Sequence, residues 1–155
     1  MPFLKKTFVK EVKRRHPDRL KVAIALEKDR VDTLSDFPKN LDFFFHRPEY
    51  PIERLIWKGI SLDTVKENLL FLLQIIEKVS ERTYNEGVIK DRLTREVAKR
   101  GRDKGAFFWP LRVALSGKDS SPSPFDIAAV IEKKETLERI HHAINKIEQT
   151  KEAKG

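Results

Sequence analysis

The sequence predicts an all-α fold, a helical cage or bundle of about eight helices arranged in two packed subdomains. No stretch alternates between apolar and polar residues for long enough to form a sheet, whereas several segments repeat apolar residues at helical spacing. Hydrophobic residues make up 39% of the 155-residue chain and include ten Phe, which is enough for one core or two small ones. Two prolines interrupt the pattern at residues 46–51 and predict a boundary between subdomains at residues 1–48 and 49–155.

In the first third of the chain, helices are expected at residues 7–15, 19–28 and 34–45. Pro17 separates the first two, and the third ends before Pro48, because a residue that precedes proline avoids the helical conformation. Proline is well suited to the first turn of a helix. Pro51 therefore predicts that a further helix begins there and covers residues 52–57.

The strongest helical pattern follows Ser61, which is a good N-cap. One stripe of this helix is apolar and carries Leu62, Val65, Leu69, Leu72, Ile76 and Val79. A stripe of this width predicts a central core helix. Thr83 and Glu86 have the spacing of a capping box, so another helix is expected to follow them and to end at Gly101. The outer face of that second helix is basic.

The last third of the chain begins with a predicted helix at residues 106–115, which has Pro110 near its start, and a loop follows at residues 117–124. Ser123 is expected to cap a short helix directly after it. A last helix carries Leu137, Ile140, Ile144 and Ile147. Its polar end is expected to fray from Glu148 onward.

Positive charge is concentrated in two parts of the sequence. Residues 1–30 hold ten Lys or Arg against four Asp or Glu, and residues 90–118 hold nine against three. The two remaining stretches are slightly acidic, and the net charge of the chain is +8. If folding brings the two basic segments onto one face, that face would attract a polyanion such as RNA. Solubility is the alternative reason for exposed basic residues, and charge alone leaves both readings open.

The patterns that common catalytic and metal sites require do not occur. The sequence has neither a GxxxxGK[ST] nor a GxGxxG phosphate-binding motif, no pair of histidines at metal-ligand spacing, and no cysteine. We therefore expect no catalysis and no metal site in this chain. No apolar run approaches the roughly 20 residues of a membrane span, and the first residues lack an apolar signal core. A cytoplasmic protein without a membrane partner is expected.

Residues 105–127 carry the most specific pattern, GAFFWPLRVALSG followed by KDSSPSPFDI. A P-L-R-x-A-L-[TS]-G helix, a short S/T-P loop and a closing turn with Lys133 and Arg139 resemble the C-terminal anticodon-binding domain of bacterial glutamyl-tRNA synthetase. The resemblance covers nearly the whole chain and is most specific over residues 105–147. Where that family usually has Gly before Lys133, this chain has Glu132. A non-glycine residue fits this turn only if its φ is negative, so the turn geometry stays open.

The resemblance implies that the chain binds the anticodon stem-loop of tRNA(Glu). The residues expected to contact the anticodon are Arg112, Ser121, Pro122, Ser123 and Arg30. Phosphate contacts are expected from Arg92, Arg95, Lys99, Arg100 and Lys104. For Arg112, a salt bridge to Glu135 or Glu138 is the structural alternative, and Ser121 could be an ordinary turn residue. Core packing is expected for the aromatic residues Phe107, Phe108 and Trp109.

The same resemblance implies what this chain lacks. The full synthetase is a class I enzyme that ligates glutamate to tRNA with ATP and Mg, and its catalytic motifs do not occur in this sequence. We therefore expect a monomeric chain that needs no cofactor and is inactive by itself. Two alternatives stay open, a self-standing paralogous RNA-binding module and a helical adaptor for acidic protein partners.

Overall fold

The computed structural model describes residue 22 and residues 42–154, and every regular element among them is helical. Its four long α-helices are α1 (Leu62–Glu77), α2 (Glu86–Lys99), α3 (Gly105–Ser116) and α4 (Pro124–Lys154). The end of another helix lies at residues 42–45, and two short 3-10 helices lie at Ile52–Leu55 and Glu81–Thr83. The all-α class is confirmed for these residues.

Residues 42–154 hold five α-helical segments, whereas about eight were predicted for the whole chain. One reason is that the short helix after Ser123 and the last helix join into α4 across a kink. Another is that Pro51 precedes a 3-10 helix of four residues and not a longer α-helix. The helix expected at residues 7–15 lies outside the described residues, as does the helix expected at 19–28 except for Val22, which is helical.

The core lies where α4 crosses the other three long helices, each of which it contacts. The largest fully buried side chains include Leu69, Leu72 and Ile76 of α1, Ile89 and Leu93 of α2, Leu111 and Leu115 of α3, and Ile127 of α4. Of the stripe predicted after Ser61, the residues Val65, Leu69, Leu72 and Ile76 form the buried face of α1, Leu62 is half-buried, and Val79 is buried just after the helix ends. Burial of such a stripe is the main source of helix stability in a small domain.

Local capping residues determine where most of these helices begin and end. Ser61 accepts a hydrogen bond from the Thr64 amide at 3.2 Å, as predicted, and Gly101 follows α2 with a φ of 63°. The predicted start of α2 is wrong. Its N-cap is Asn85, whose Oδ1 accepts from the Val88 amide at 3.0 Å, while Thr83 lies in a separate 3-10 turn.

Pro110 lies in the middle of α3 and not near its start. Because proline has no amide hydrogen, the carbonyl four residues earlier, that of Ala106, has no helical donor. The amide of Asn68 on α1 supplies one at 3.0 Å. Asn68 is only 2% exposed. This buried side-chain amide replaces the hydrogen bond that Pro110 cannot donate to the Ala106 carbonyl.

Glu132 marks the kink inside α4, with φ 73° and ψ 166°. The φ is positive, so this chain keeps a geometry that favours glycine although it carries a glutamate there. Neighbouring contacts hold the kink in place. Lys133 Nζ donates to the Glu77 and Val79 carbonyls at the end of α1, and Tyr84 Oη lies 2.9 Å from the Ala128 carbonyl oxygen.

The polar end of α4 does not fray where the sequence predicted it. The helix continues from Glu148 to Lys154. Glu148 forms an ion pair with Lys66 at 2.8 Å, and Lys151 forms one with Asp63. Both partners lie on α1, so contacts with a distant helix extend α4 beyond its apolar stripe.

Candidate nucleic-acid interface

Loop 117–124, which joins α3 to α4, begins at Gly117 with a φ of 73°. A Cβ atom at this position would lie 2.6 Å from Pro48 Cβ, closer than carbon atoms pack. The Gly117 carbonyl accepts a hydrogen bond from Arg54 Nη1 at 2.7 Å. The loop therefore starts in a fixed position, because its first residue is bound to the segment that precedes α1.

Arg112 fixes the middle of the same loop. Its Nη1 donates to the Ser121 carbonyl at 2.6 Å, to Ser121 Oγ at 3.0 Å and to the Pro122 carbonyl at 3.3 Å. Glu135 and Glu138, the carboxylates named as alternative partners of Arg112, both pair with Arg47. Arg112 is half-buried, so its guanidinium lies between the protein interior and the loop surface.

The other predicted loop residues differ in exposure. Ser121 is 5% exposed, and its hydroxyl donates to the Pro122 carbonyl at 2.8 Å. Pro122 is also buried. Ser123 is half-buried, and its hydroxyl accepts from the Phe125 amide at 3.2 Å, so it caps α4 as the sequence predicted. Ser121 and Pro122 therefore form the inner wall of the loop, whereas Ser123 lies toward its surface.

The aromatic residues of α3 pack mainly inward. Phe107 is buried, and Phe108 forms an edge-on contact with Phe125. Trp109 packs 5.4 Å from Trp57, and its Nε1 donates to the Arg54 carbonyl at 2.8 Å. Core packing describes Phe107 best, while Phe108 and Trp109 are half-buried against the core.

Arg139 binds the end of α3, just before the loop begins, and was missed as a candidate. This side chain is 2% exposed, and its Nη1 donates to the Phe43 carbonyl at 2.5 Å and to the Leu115 carbonyl at 2.6 Å. Its Nε donates to Glu135, which also accepts from Arg47. Arg139 belongs to the motif that carries the family resemblance, but the local sequence does not show that it is buried, because its partners lie 24 and 96 residues away.

The pKa of Glu135 reflects this arginine pair. Partial burial raises the pKa, but the hydrogen bonds and charges of Arg47 and Arg139 lower it more, so the net pKa lies below its ordinary value. Glu135 therefore stays ionised and links the two guanidinium groups. The pair connects the helix end at residues 42–45 to α4 and to the last carbonyls of α3.

The basic face of α2, formed by Arg92, Arg95 and Lys99, is exposed. Arg95 pairs with Asp91 at 2.9 Å and Lys99 with Glu96 at 3.0 Å, both within one helical turn. Such exposed pairs are weak and reform easily with other anions.

Two further predicted phosphate-contact residues, Arg100 and Lys104, follow α2 and are also exposed. Arg100 stacks over the Phe71 ring at 4.1 Å. Arg30, the predicted contact in the first subdomain, lies outside the described residues.

Metal-ligand clusters and membrane spans are both absent from the described residues. No group of three or more His, Asp or Glu side chains within residues 42–154 is arranged to hold a metal ion. In that same part of the chain, no helix is both long and apolar enough to cross a membrane.

A helical domain that carries both a loop fixed by an arginine and an exposed basic helix has the features of a module that binds single-stranded RNA. The chain belongs to the anticodon binding domain family, whose family model matches residues 1–144. The resemblance inferred from residues 105–147 is confirmed at the level of this family.

Relatives support the same assignment. The chain is 34% identical over 150 residues to a glutamate–tRNA ligase of Lachnoclostridium phytofermentans and 38% identical over 154 residues to one of Clostridium kluyveri. Each alignment covers 95% of this chain but 29% of the relative. The chain thus spans under a third of these ligases, and it is homologous to the anticodon-binding part of glutamyl-tRNA synthetases.

A solved structure has the same fold. The crystal structure of a glutamate tRNA ligase from Elizabethkingia meningosepticum, in complex with its amino acid, matches with a TM-score of 0.75 and 26% identity. The match covers 92% of this chain and 28% of that ligase.

Proposed function

We propose that this chain binds the anticodon stem-loop of tRNA(Glu), with loop 117–124 contacting anticodon bases and the basic face of α2 contacting phosphates. The observation that carries the proposal is the set of three hydrogen bonds from Arg112 to Ser121 and Pro122. Sequence-specific RNA recognition needs groups held in place against unpaired bases. A loop with a fixed backbone meets that need.

The two parts have different roles in this proposal. Arg112 and Ser123 lie nearest the base edges, while Ser121 and Pro122 shape the loop and offer backbone groups. Arg92, Arg95, Lys99, Arg100 and Lys104 neutralise phosphates. Phosphate contacts supply affinity and register, and base contacts supply specificity.

We propose further that the whole chain forms about eight helices in two subdomains, at residues 1–48 and 49–155, with Arg30 in the first as a second anticodon contact. Contacts of residues 43 and 47 support the packing of the two subdomains against each other. Arg139 binds the Phe43 carbonyl, and Arg47 pairs with Glu135, so the end of the first subdomain is tied to α3 and α4.

The chain alone is proposed to be a catalytically inactive, cytoplasmic monomer without a metal ion. ATP and Mg belong to the full ligase in this proposal. The 29% coverage of the relatives supports it, because most of each ligase lies outside the matched part. The purified chain should neither exchange pyrophosphate with ATP in the presence of glutamate nor charge tRNA, and activity above background would contradict the proposal.

The test of RNA binding is a titration of labelled tRNA(Glu) at two or more salt concentrations. Log K should fall linearly with log salt, with a slope of nearly one for each phosphate neutralised. The variant for comparison replaces Arg92, Arg95 and Lys99 by Gln. It removes the three positive charges from the basic face of α2. A flat dependence for the unsubstituted chain would contradict the electrostatic part of the proposal.

A further inference from the structure

A second concave site lies away from loop 117–124. It is a cleft of about 400 Å³ between α1, the turn that follows α2 and the start of α3. This volume falls in the range of small-molecule sites, about 300 to 1,000 Å³. Its lining includes Glu67, Phe71, Gln74, Arg100, Arg102 and Phe107.

The cleft combines an aromatic ring with two guanidinium groups. Arg100 Cζ lies 4.1 Å from the centroid of the Phe71 ring, and Phe107 supports that ring by an edge-on contact at 5.6 Å. Arg102 also lines the cleft. Aromatic rings and arginine planes stack on nucleobases, and arginine binds phosphate oxygens through its planar fork of donors.

Polar groups on α1 complete the lining. Glu67, Phe71 and Gln74 are spaced by four and three residues, so they share one helical face. The carboxylate of Glu67 accepts hydrogen bonds, and the amide of Gln74 both donates and accepts. These groups match the edge of a nucleobase, which carries amino donors and carbonyl or ring-nitrogen acceptors.

The charge around the cleft favours an anion. Residues 99–104 contain four Lys or Arg and one acidic residue, Asp103. Asp103 is occupied elsewhere, because it accepts hydrogen bonds from Trp57 Nε1 at 3.1 Å and from the Gly105 amide at 3.0 Å. The turn therefore presents its positive charge beside the cleft.

The cleft is distinct from the loop site. Phe107 lies in the first turn of α3, whereas loop 117–124 follows the last turn, roughly 13 Å further along at 1.5 Å per residue. One bound nucleotide cannot occupy both places.

We propose that this cleft binds one unpaired nucleotide of the same RNA, with its base against Phe71 and Arg100 and its phosphate on Arg102. The proposal rests on the RNA-binding function proposed above. It adds a stacking contact to a surface that otherwise contributes charge alone.

The decisive variant is Phe71→Leu, because it removes the ring without changing any charge and keeps apolar bulk against Phe107. We expect tRNA(Glu) affinity to fall about five- to tenfold with an unchanged salt slope, as loss of a stacked base requires. The control Ile75→Met alters a partly buried residue of α1 that does not line the cleft, and it should change affinity less than twofold. Equal tRNA affinity of Phe71→Leu and the unsubstituted chain would overturn the proposal.

A second measurement does not depend on a variant. The unsubstituted chain, labelled with ¹³C in its Phe rings, is titrated with AMP, GMP, CMP and UMP and separately with inorganic phosphate. We expect at least one mononucleotide to shift the Phe71 ring signals, while inorganic phosphate leaves them in place. The absence of any shift at millimolar mononucleotide would overturn the proposal, as would shifts caused by polyglutamate and by no nucleotide, which would assign the cleft to an acidic protein.

The two proposals fail in different ways. If the unsubstituted chain binds tRNA(Glu) but Phe71→Leu binds it equally well, the cleft proposal fails and the anticodon-binding proposal stands. If the chain binds no tRNA, the anticodon-binding proposal fails, and the mononucleotide titration still tests the cleft.

Discussion

Two arginine-bearing surfaces of this domain differ in the distance along the chain between each arginine and its partners. Arg112 binds Ser121 and Pro122 across a loop, whereas Arg95 on the basic face of α2 pairs with Asp91 one helical turn away. The tertiary contacts of Arg112 hold a backbone in one shape. The pair of Arg95 with Asp91 fixes no other part of the structure, so Arg95 can exchange Asp91 for a phosphate at little cost in free energy. Specificity and affinity are therefore expected to reside in different surfaces.

The largest effect is expected at Arg139, which extends the contacts of the loop side into the core. Arg139→Met removes donors to two carbonyls and leaves Glu135 with one arginine fewer, so the free energy of unfolding should fall by on the order of 3 kcal/mol. Urea unfolding measures this. Arg95→Met is the matched control and should stay within about 0.5 kcal/mol. If Arg139→Met lowers the free energy of unfolding by less than about 1 kcal/mol, the tertiary contacts of Arg139 stabilise the fold little more than the local pair of Arg95 does.

The next effect concerns RNA recognition by Arg112. Arg112→Ala should cost on the order of 1 to 3 kcal/mol of binding free energy and relax discrimination at one anticodon position. Titrations with tRNA(Glu) and an anticodon-swapped tRNA measure both quantities. If the variant loses affinity for both tRNAs equally, Arg112 supports structure or contacts phosphate, and the loop does not read bases through it.

Backbone strain at Glu132 gives a test with the opposite sign. Glu132→Gly should raise the free energy of unfolding by about 1 kcal/mol, because φ 73° with ψ 166° is a conformation that glycine adopts without strain. Lys58→Gly is the matched control. Lys58 has a φ of 47°, in the left-handed region, where a non-glycine residue has less backbone strain than at Glu132. Thermal unfolding of both variants measures the difference. A destabilised Glu132→Gly would show that the Glu132 side chain contributes more than the strain costs.

The smallest effect is expected on the basic face. Arg95→Ala should weaken cognate and anticodon-swapped tRNA about equally and lower the slope of log K against log salt by about one. Stability should change by less than about 0.5 kcal/mol, since the pair with Asp91 is exposed. The same titrations at several salt concentrations provide the measurement. A change in base preference would show that Arg95 contributes to specificity, contrary to the proposed division between loop 117–124 and the basic face of α2.

Features that depend on neighbours within one helical turn were predictable from the sequence. These features are the apolar stripe from Val65 to Ile76, the Ser61 and Ser123 caps and the glycine that ends α2, and all follow from spacings of two to four residues. The family was also visible in the sequence, because residues 105–127 keep a continuous motif.

Tertiary structure alone decided the features whose partners are distant in sequence. The buried amide of Asn68 compensates for Pro110 from another helix, and Arg139 reaches carbonyls 24 and 96 residues away. The kink at Glu132 keeps a positive φ because contacts from α1 and Tyr84 fix both sides of it. No periodicity encodes such contacts, since they form only after the helices pack, and the free energy that packing releases then outweighs local conformational preference.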